Sequence, residues 1–302
     1  MRPFFAMIKR SHFKSRSLPY LLILPQAVVT LTFFYWPAIQ GMIQSFLLSD
    51  PFGRKSRFVW FYNYIELFSD PLYLKSILIT FVFSLATAAV SISLGLFIAA
   101  MANRALRATA LVRTMLIWPY AVAPAISGIM WLFLLHPSYG IVAIGVKNWL
   151  GVDWNPVLYG SDAMVMIVMA SAWKEVSYNF VFFMAGMQAI PKSLIEAAAI
   201  DGAGPFRRFW TITVPLLSPT FFFLMVMNII YAFFETFGII HTVTQGGPGG
   251  STNTLVYKVY QDGFVGLNLG SSSAQSVVLM LLIILITFLQ FRFVEKKVQY
   301  SG

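Results

Sequence analysis

Two adjacent charges, Lys174 and Glu175, interrupt an otherwise apolar stretch from Ala163 to Pro191. They fall 12 and 13 residues into a predicted helical span of about 27, close to its middle. An ionised group at the centre of a lipid-exposed helix costs about 2.5–3.5 kcal/mol, so neither side chain is expected to face lipid. Helical neighbours diverge by about 100°, so the two cannot point at one spot; they are expected to flank a protein-lined, water-accessible cavity. Asn179 and Asn228 are further polar candidates along the same path. The rest of the chain offers little chemistry. With no cysteine there is no thiolate metal site, no disulfide framework and no cysteine nucleophile. No GxxxxGKS/T phosphate loop, HExxH or GxSxG occurs, and His12, His136 and His241 are scattered. A membrane-embedded enzyme is therefore disfavoured, and any ATPase must be another chain. The run Gly246-Gly247-Pro248-Gly249-Gly250 reads as a flexible turn, with an anion-binding backbone nest as the alternative.

The other informative segment is IPKSLIEAAAIDGAGPFRRFWTITVP, residues 190–215. Ser193 and Glu196 have the spacing of a capping box, and Ala197, Ala198 and Ala199 favour a helix after it. Asp201-Gly202 is a stop signal, and Pro205 suits the first position of a second helix. There Phe206, Phe209 and Trp210 fall on one apolar face, with Arg207 and Arg208 beside them. An interfacial helix and a docking surface fit this pattern equally well.

These residues must be held by membrane-spanning elements. Hydrophobic residues make up 58% of the 302 and charged ones 11%, against about 25% charged in ordinary globular proteins. Charge-free runs cover 17–49, 76–103, 114–146, 209–234 and 263–291, each long enough to cross a bilayer. With the stretch around Lys174 they predict an all-α protein with six transmembrane helices near 18–42, 77–102, 114–135, 163–189, 213–234 and 274–292. The first run is too long for a signal-peptide core and lacks a small-residue cleavage site. With the N-terminus inside, inner segments hold 14 of the 21 Lys and Arg, and outer loops 6. That bias predicts both termini in the cytoplasm. The net charge of +10 then faces anionic lipid, and no nucleic-acid partner is implied. Organisation follows: a basic tail over 1–17, a transmembrane domain over 18–292 with a cytoplasmic loop over 191–213, and a tail over 293–302. Glu235 is expected at the outer end of the fifth span. Pro25, Pro37, Pro119, Pro124, Pro215 and Pro219 imply kinks.

Glu196-Ala197-Ala198, then Gly202, Ile212 and Pro215, resemble the EAA loop of permease subunits of ATP-binding-cassette importers, and its place between spans four and five matches. LPYLLILPQ, YAVAPAISGIMWLF, SYNFVFF, GGPGGSTNTLVYKVY and SSAQSVVLM extend the resemblance over nearly the whole chain, to the sugar-type permeases and among them the branch that carries sn-glycerol 3-phosphate. The resemblance implies a type I importer permease in the bacterial inner membrane, importing sn-glycerol 3-phosphate and glycerophosphodiesters. A neutral sugar or polyol is the alternative substrate, and a self-contained secondary transporter a more distant reading. Implied partners are a sister permease forming a heterodimer, two cytoplasmic ATP-binding subunits and an extracytoplasmic substrate-binding protein. No cofactor is implied for this chain, since ATP and Mg belong to the ATPase. By the same resemblance Glu196, Ala197, Ala198, Asp201, Gly202, Ile212 and Pro215 couple to the ATPase, with Glu196 pairing a basic group there. Lys174 is then either a contact for an anionic substrate or part of a structural pair with the sister permease.

Overall fold

The computed structural model describes residues 17–49, 56–104 and 110–294; most of both tails, with Arg107, lies outside them. Helix α1 (Leu18–Thr30) runs through a wide turn at Leu31–Tyr35 into α2 (Trp36–Gln44). The wide turn precedes Pro37, whose ring cannot fit a regular helical turn. A hairpin of β1 (Leu47–Ser49) and β2 (Ser56–Phe58) follows, with Leu47 opposite Phe58. Then come α3 (Tyr62–Ser69), α4 (Pro71–Arg104), α5 (Ala110–Ala121), α6 (Pro124–Leu135), α7 (Ile141–Leu150) and α8 (Gly160–Ala189). The hairpin and α3 are the small departure from the expected all-helical chain. They sit in the connection between the first two expected spans, where the buried Asn63 amide donates to the carbonyls of Ser45 (2.8 Å) and Leu47 (3.0 Å).

The second half holds α9 (Lys192–Ile200), α10 (Pro205–Arg208), a wide turn at Phe209–Thr213, and α11 (Val214–Leu216). After these come α12 (Ser218–Phe234), α13 (Phe237–Val243), α14 (Leu255–Tyr260) and α15 (Leu269–Leu289), with wide turns at Gln261–Val265 and Gln290–Val294. Three continuous stretches are long and apolar enough to cross a membrane: Leu18–Gln44, Pro71–Asn103 and Leu269–Phe293. Two more qualify as bent pairs, Thr114–Ala121 with Pro124–Leu135 (106°) and Pro205–Leu216 with Ser218–Phe234 (65°). With the 30-residue α8, interrupted by its two charges, the set is consistent with six crossings. Expected spans three and five are thus broken rods. Proline supplies the reason, because Pro124 and Pro219 open the second half of each pair and neither can donate to the turn before it.

The core is the face where α4 and α8 pack lengthwise, flanked by α5, α6 and α12. Gly95 sets the closeness of that contact: a Cβ there would lie 2.6 Å from the Asn179 Cβ. Helix α1 buries no residue within the chain, so its apolar surface is left for lipid or another subunit, whereas α2 packs on α15.

The turn at 244–254 is cross-tied within itself. The Thr252 hydroxyl donates to the Gly247 carbonyl at 2.7 Å and accepts from the Thr244 hydroxyl at 2.8 Å, and the Lys75 amine reaches the Gly249 carbonyl at 3.3 Å. Beyond it Lys258, buried in α14, pairs with Asp70 (3.5 Å) and Asp262 (3.1 Å), so three segments meet on one cation.

Candidate functional site: coupling loop and intramembrane charges

In the loop after α8 the expected capping box does not form. The helix begins at Lys192 with Pro191 at the N-cap and no side-chain cap, so Ser193 lies inside the first turn rather than before it. Proline at 191 holds an extended ψ of 125° and places the start of the helix directly after itself, two residues earlier than Ser193 would. The stop signal works as expected. Gly202 takes φ +80°, its N–H donates to Ala199 O (3.1 Å), and the Ala203 N–H donates to Ala198 O (2.9 Å). This pair of bonds satisfies the last carbonyls of α9 and needs a left-handed residue at 202, which glycine adopts without strain.

Glu196 and Ala197 are exposed on α9, Ala198 is half-buried, and Ile200 is 86% exposed. Around Gly202 a Cβ would meet no atom within 4 Å, so the chain itself leaves this backbone open. Glu196 also lines a cleft of about 930 Å³ with Met184, Met187, Arg208 and Phe209. The Arg208 guanidinium donates to Ile195 O at 3.3 Å and ties α10 to α9. The expected aromatic face is divided: Phe209 packs inward with Met184, Met187 and Leu217, while Phe206 (76% exposed) and Trp210 stay outside. Ile212 and Pro215 are half-buried and belong to the elbow before the bend at Leu217, not to the exposed helix. The seven residues expected to couple therefore split into an exposed helix-and-turn (196–202) and a hinge (212–215).

The four residues expected along a path do not converge on one cavity. Asn179 and Asn228 are fully buried and clasp each other, the Asn179 amide donating at 3.1 Å and the Asn228 amide at 2.7 Å. Asn228 also donates to Leu224 O (2.8 Å) and accepts from the Ser91 hydroxyl (2.6 Å), which locks α4, α8 and α12 together. Lys174 and Glu175 are 5% and 4% exposed. The Lys174 amine donates to the carbonyls of Tyr120 (3.2 Å) and Val122, at the break between α5 and α6.

Glu235 follows the end of α12, is exposed, and is within electrostatic reach of both Lys174 and Glu175. Near the end of α12 the Tyr231 hydroxyl lies 3.5 Å from Ser171 O of α8, and α13 then packs onto α6. A run of apolar residues gives no sign that the chain turns at Thr236. Sequence reasoning missed the closeness of Gly95 and the carbonyl pair at 120 and 122. Of these, the last had a signal in Pro124, four residues after Tyr120.

Comparison with known proteins bears on the family and the fold. Residues 91–300 match the family described as the binding-protein-dependent transport system inner membrane component. The sn-glycerol-3-phosphate transport system permease protein UgpA of Brucella abortus biovar 1 (strain 9-941) is 57% identical, covering 96% of this chain and 98% of that protein. Its counterpart in Rhizobium meliloti (strain 1021) is 56% identical over 97% and 100%, and that of Yersinia pestis 51% over 97% and 99%. Among solved structures, a bacterial alginate ABC transporter in complex with an alginate pentasaccharide-bound periplasmic protein superposes with TM-score 0.79 at 19% identity, covering 94% of this chain and 96% of that one. The fold is that of type I importer permeases, and the relatives are transport subunits rather than enzymes. The chain belongs to the inner membrane components of binding-protein-dependent ATP-binding-cassette importers.

Proposed function

We propose that this permease carries sn-glycerol 3-phosphate and glycerophosphodiesters inward, as one half of a heterodimer with a sister permease. Substrate arrives from an extracytoplasmic binding protein, and two cytoplasmic ATPase subunits, which bind the ATP and Mg, drive the cycle. Identity of 51–57% to glycerol-3-phosphate permeases over nearly the full length carries the substrate reading. The cytoplasmic placement of 191–213 and of both termini rests on the Lys and Arg bias.

The loop geometry supports a route for the force. An ATPase gripping α9 through Glu196, Ala197 and Ala198, close to the open backbone at Asp201-Gly202, would move α10 with it through the Arg208–Ile195 bond. The motion would then pass along 209–216, holding Ile212 and Pro215, to the 65° bend ahead of α12. A helix of that length transmits displacement, and a bend concentrates it at a few residues.

The test is uptake by the assembled complex in proteoliposomes with internal ATP. sn-Glycerol 3-phosphate should be accumulated, and the cognate binding protein should bind it and not maltose in calorimetry. A binding protein that takes maltose and ignores the phosphate would replace the substrate with a neutral sugar. Uptake by this chain without any ATPase would make it a secondary transporter.

A further inference from the structure

The break between α5 and α6 leaves backbone carbonyls without their helical donors in the middle of the chain's thickness. In a regular helix the Tyr120 carbonyl would accept from the N–H of residue 124, and residue 124 is proline. Val122, whose own N–H turns back to Pro119 O at 3.3 Å, lies outside both helices. Unsatisfied carbonyls at membrane depth cost several kcal/mol each unless protein or water meets them. The Lys174 ammonium meets both, and its charge suits the carbonyl end of α5. It is only 5% exposed, lies 5.9 Å from the Tyr120 ring centroid, and is within the electrostatic influence of Glu175 and Glu235.

We propose that Lys174 is a positioning residue for transport: its ammonium replaces the backbone proton that Pro124 cannot give, and so holds the third span bent. Substrate need not touch it. Second-half contacts assist, because the Thr242 hydroxyl reaches Ala125 O at 3.3 Å and the Ser127 hydroxyl reaches Ala170 O at 3.3 Å. Neither of these satisfies the carbonyls at 120 and 122.

The experiment uses the complete complex with cysteine-free partner subunits; this chain itself has no cysteine. Spin labels at Met115 and Phe133, exposed positions on the two halves, report the bend. At 1.5 Å per residue, a 106° bend puts these backbones about 17 Å apart and a straight helix about 27 Å. Three variants separate the roles: Lys174→Met removes charge and donors, Lys174→Gln keeps donors only, and Lys174→Arg keeps both.

The expected result for Lys174→Met is a label distance shifted towards the longer value and a maximal uptake rate at least tenfold lower, with KM within about threefold of wild type. Lys174→Arg should match wild type, and Lys174→Gln should lie between. A raised KM with the rate and distance preserved would overturn the proposal and make Lys174 a substrate ligand. Unchanged distance and rate in Lys174→Met would overturn it as well. Should Lys174→Met fail to assemble, the same reading applies to Lys174→Gln against Lys174→Arg. The distance needs no knowledge of the substrate, so a wrong substrate assignment would leave that arm standing.

Discussion

Gly202 separates docking from helix termination, because the two roles respond differently to substitution. Its φ of +80° is a left-handed conformation that costs a residue with a Cβ about 1–2 kcal/mol. No heavy atom lies within 4 Å of an added Cβ, so sterics inside the chain add nothing. Gly202→Ala should therefore weaken the end of α9 by about 1–2 kcal/mol, a factor of roughly 5–30 in the population of the correct turn. Asparagine visits the left-handed region readily, so Gly202→Asn keeps the turn while adding a side chain at the open backbone. If an ATPase surface approaches here, both variants should insert normally yet lose substrate-stimulated ATP hydrolysis and uptake, with Gly202→Asn as defective as Gly202→Ala. The assay is hydrolysis by the purified complex with and without loaded binding protein, beside retention of the ATPase on co-purification. A Gly202→Asn complex with wild-type stimulation would refute the reasoning and leave Gly202 as a helix stop alone.

Two further substitutions probe the frame that carries these sites. Gly95→Ala places a methyl 2.6 Å from the Asn179 Cβ, where ordinary contact begins at 3.4 Å, so α4 and α8 must part by close to 1 Å. Overpacking costs about 1–3 kcal/mol and better helix propensity returns about 1, so the complex should melt at lower temperature; an unchanged melt would mean the contact is looser than it is drawn. Lys258→Met strips Asp70 and Asp262 of their shared cation. Because both carboxylates are about a third exposed, the loss should be nearer 1–2 kcal/mol than the 3–5 of a fully buried pair. It should appear as faster proteolysis around 244–275 and be repaired by Lys258→Arg, whereas wild-type resistance in Lys258→Met would assign the tie no weight.

Much of this was legible in the chain. The lengths of the charge-free runs located the spans, and proline marked both places where a span bends. The Asp201-Gly202 stop was readable because left-handed geometry at a helix end is a local demand on one residue. Ser193 misled for an equally local reason: spacing alone cannot tell a cap from a first turn when Pro191 competes to start the helix. Asn179 and Asn228 were found as polar residues in apolar spans, yet their being a clasp rather than a lining depends on two helices crossing at Gly95. Residues 49 positions apart carry no mark of that crossing.

Sequence alone determined that this chain carries runs apolar enough to cross a bilayer, that it contains no GxxxxGKS/T phosphate loop, and that residues 191–213 form a compact polar connection between two of those runs. Those conclusions follow from hydrophobic run length, charge placement and turn chemistry, each fixed within about 30 neighbouring residues. Only the tertiary structure decided that Lys174 meets the carbonyls at Tyr120 and Val122, that Asn179 and Asn228 clasp each other, and that the third span is sharply bent. Buried polar groups must find partners wherever the packing brings them, and in an apolar span the choice of partner is made by helices that meet in space rather than in order.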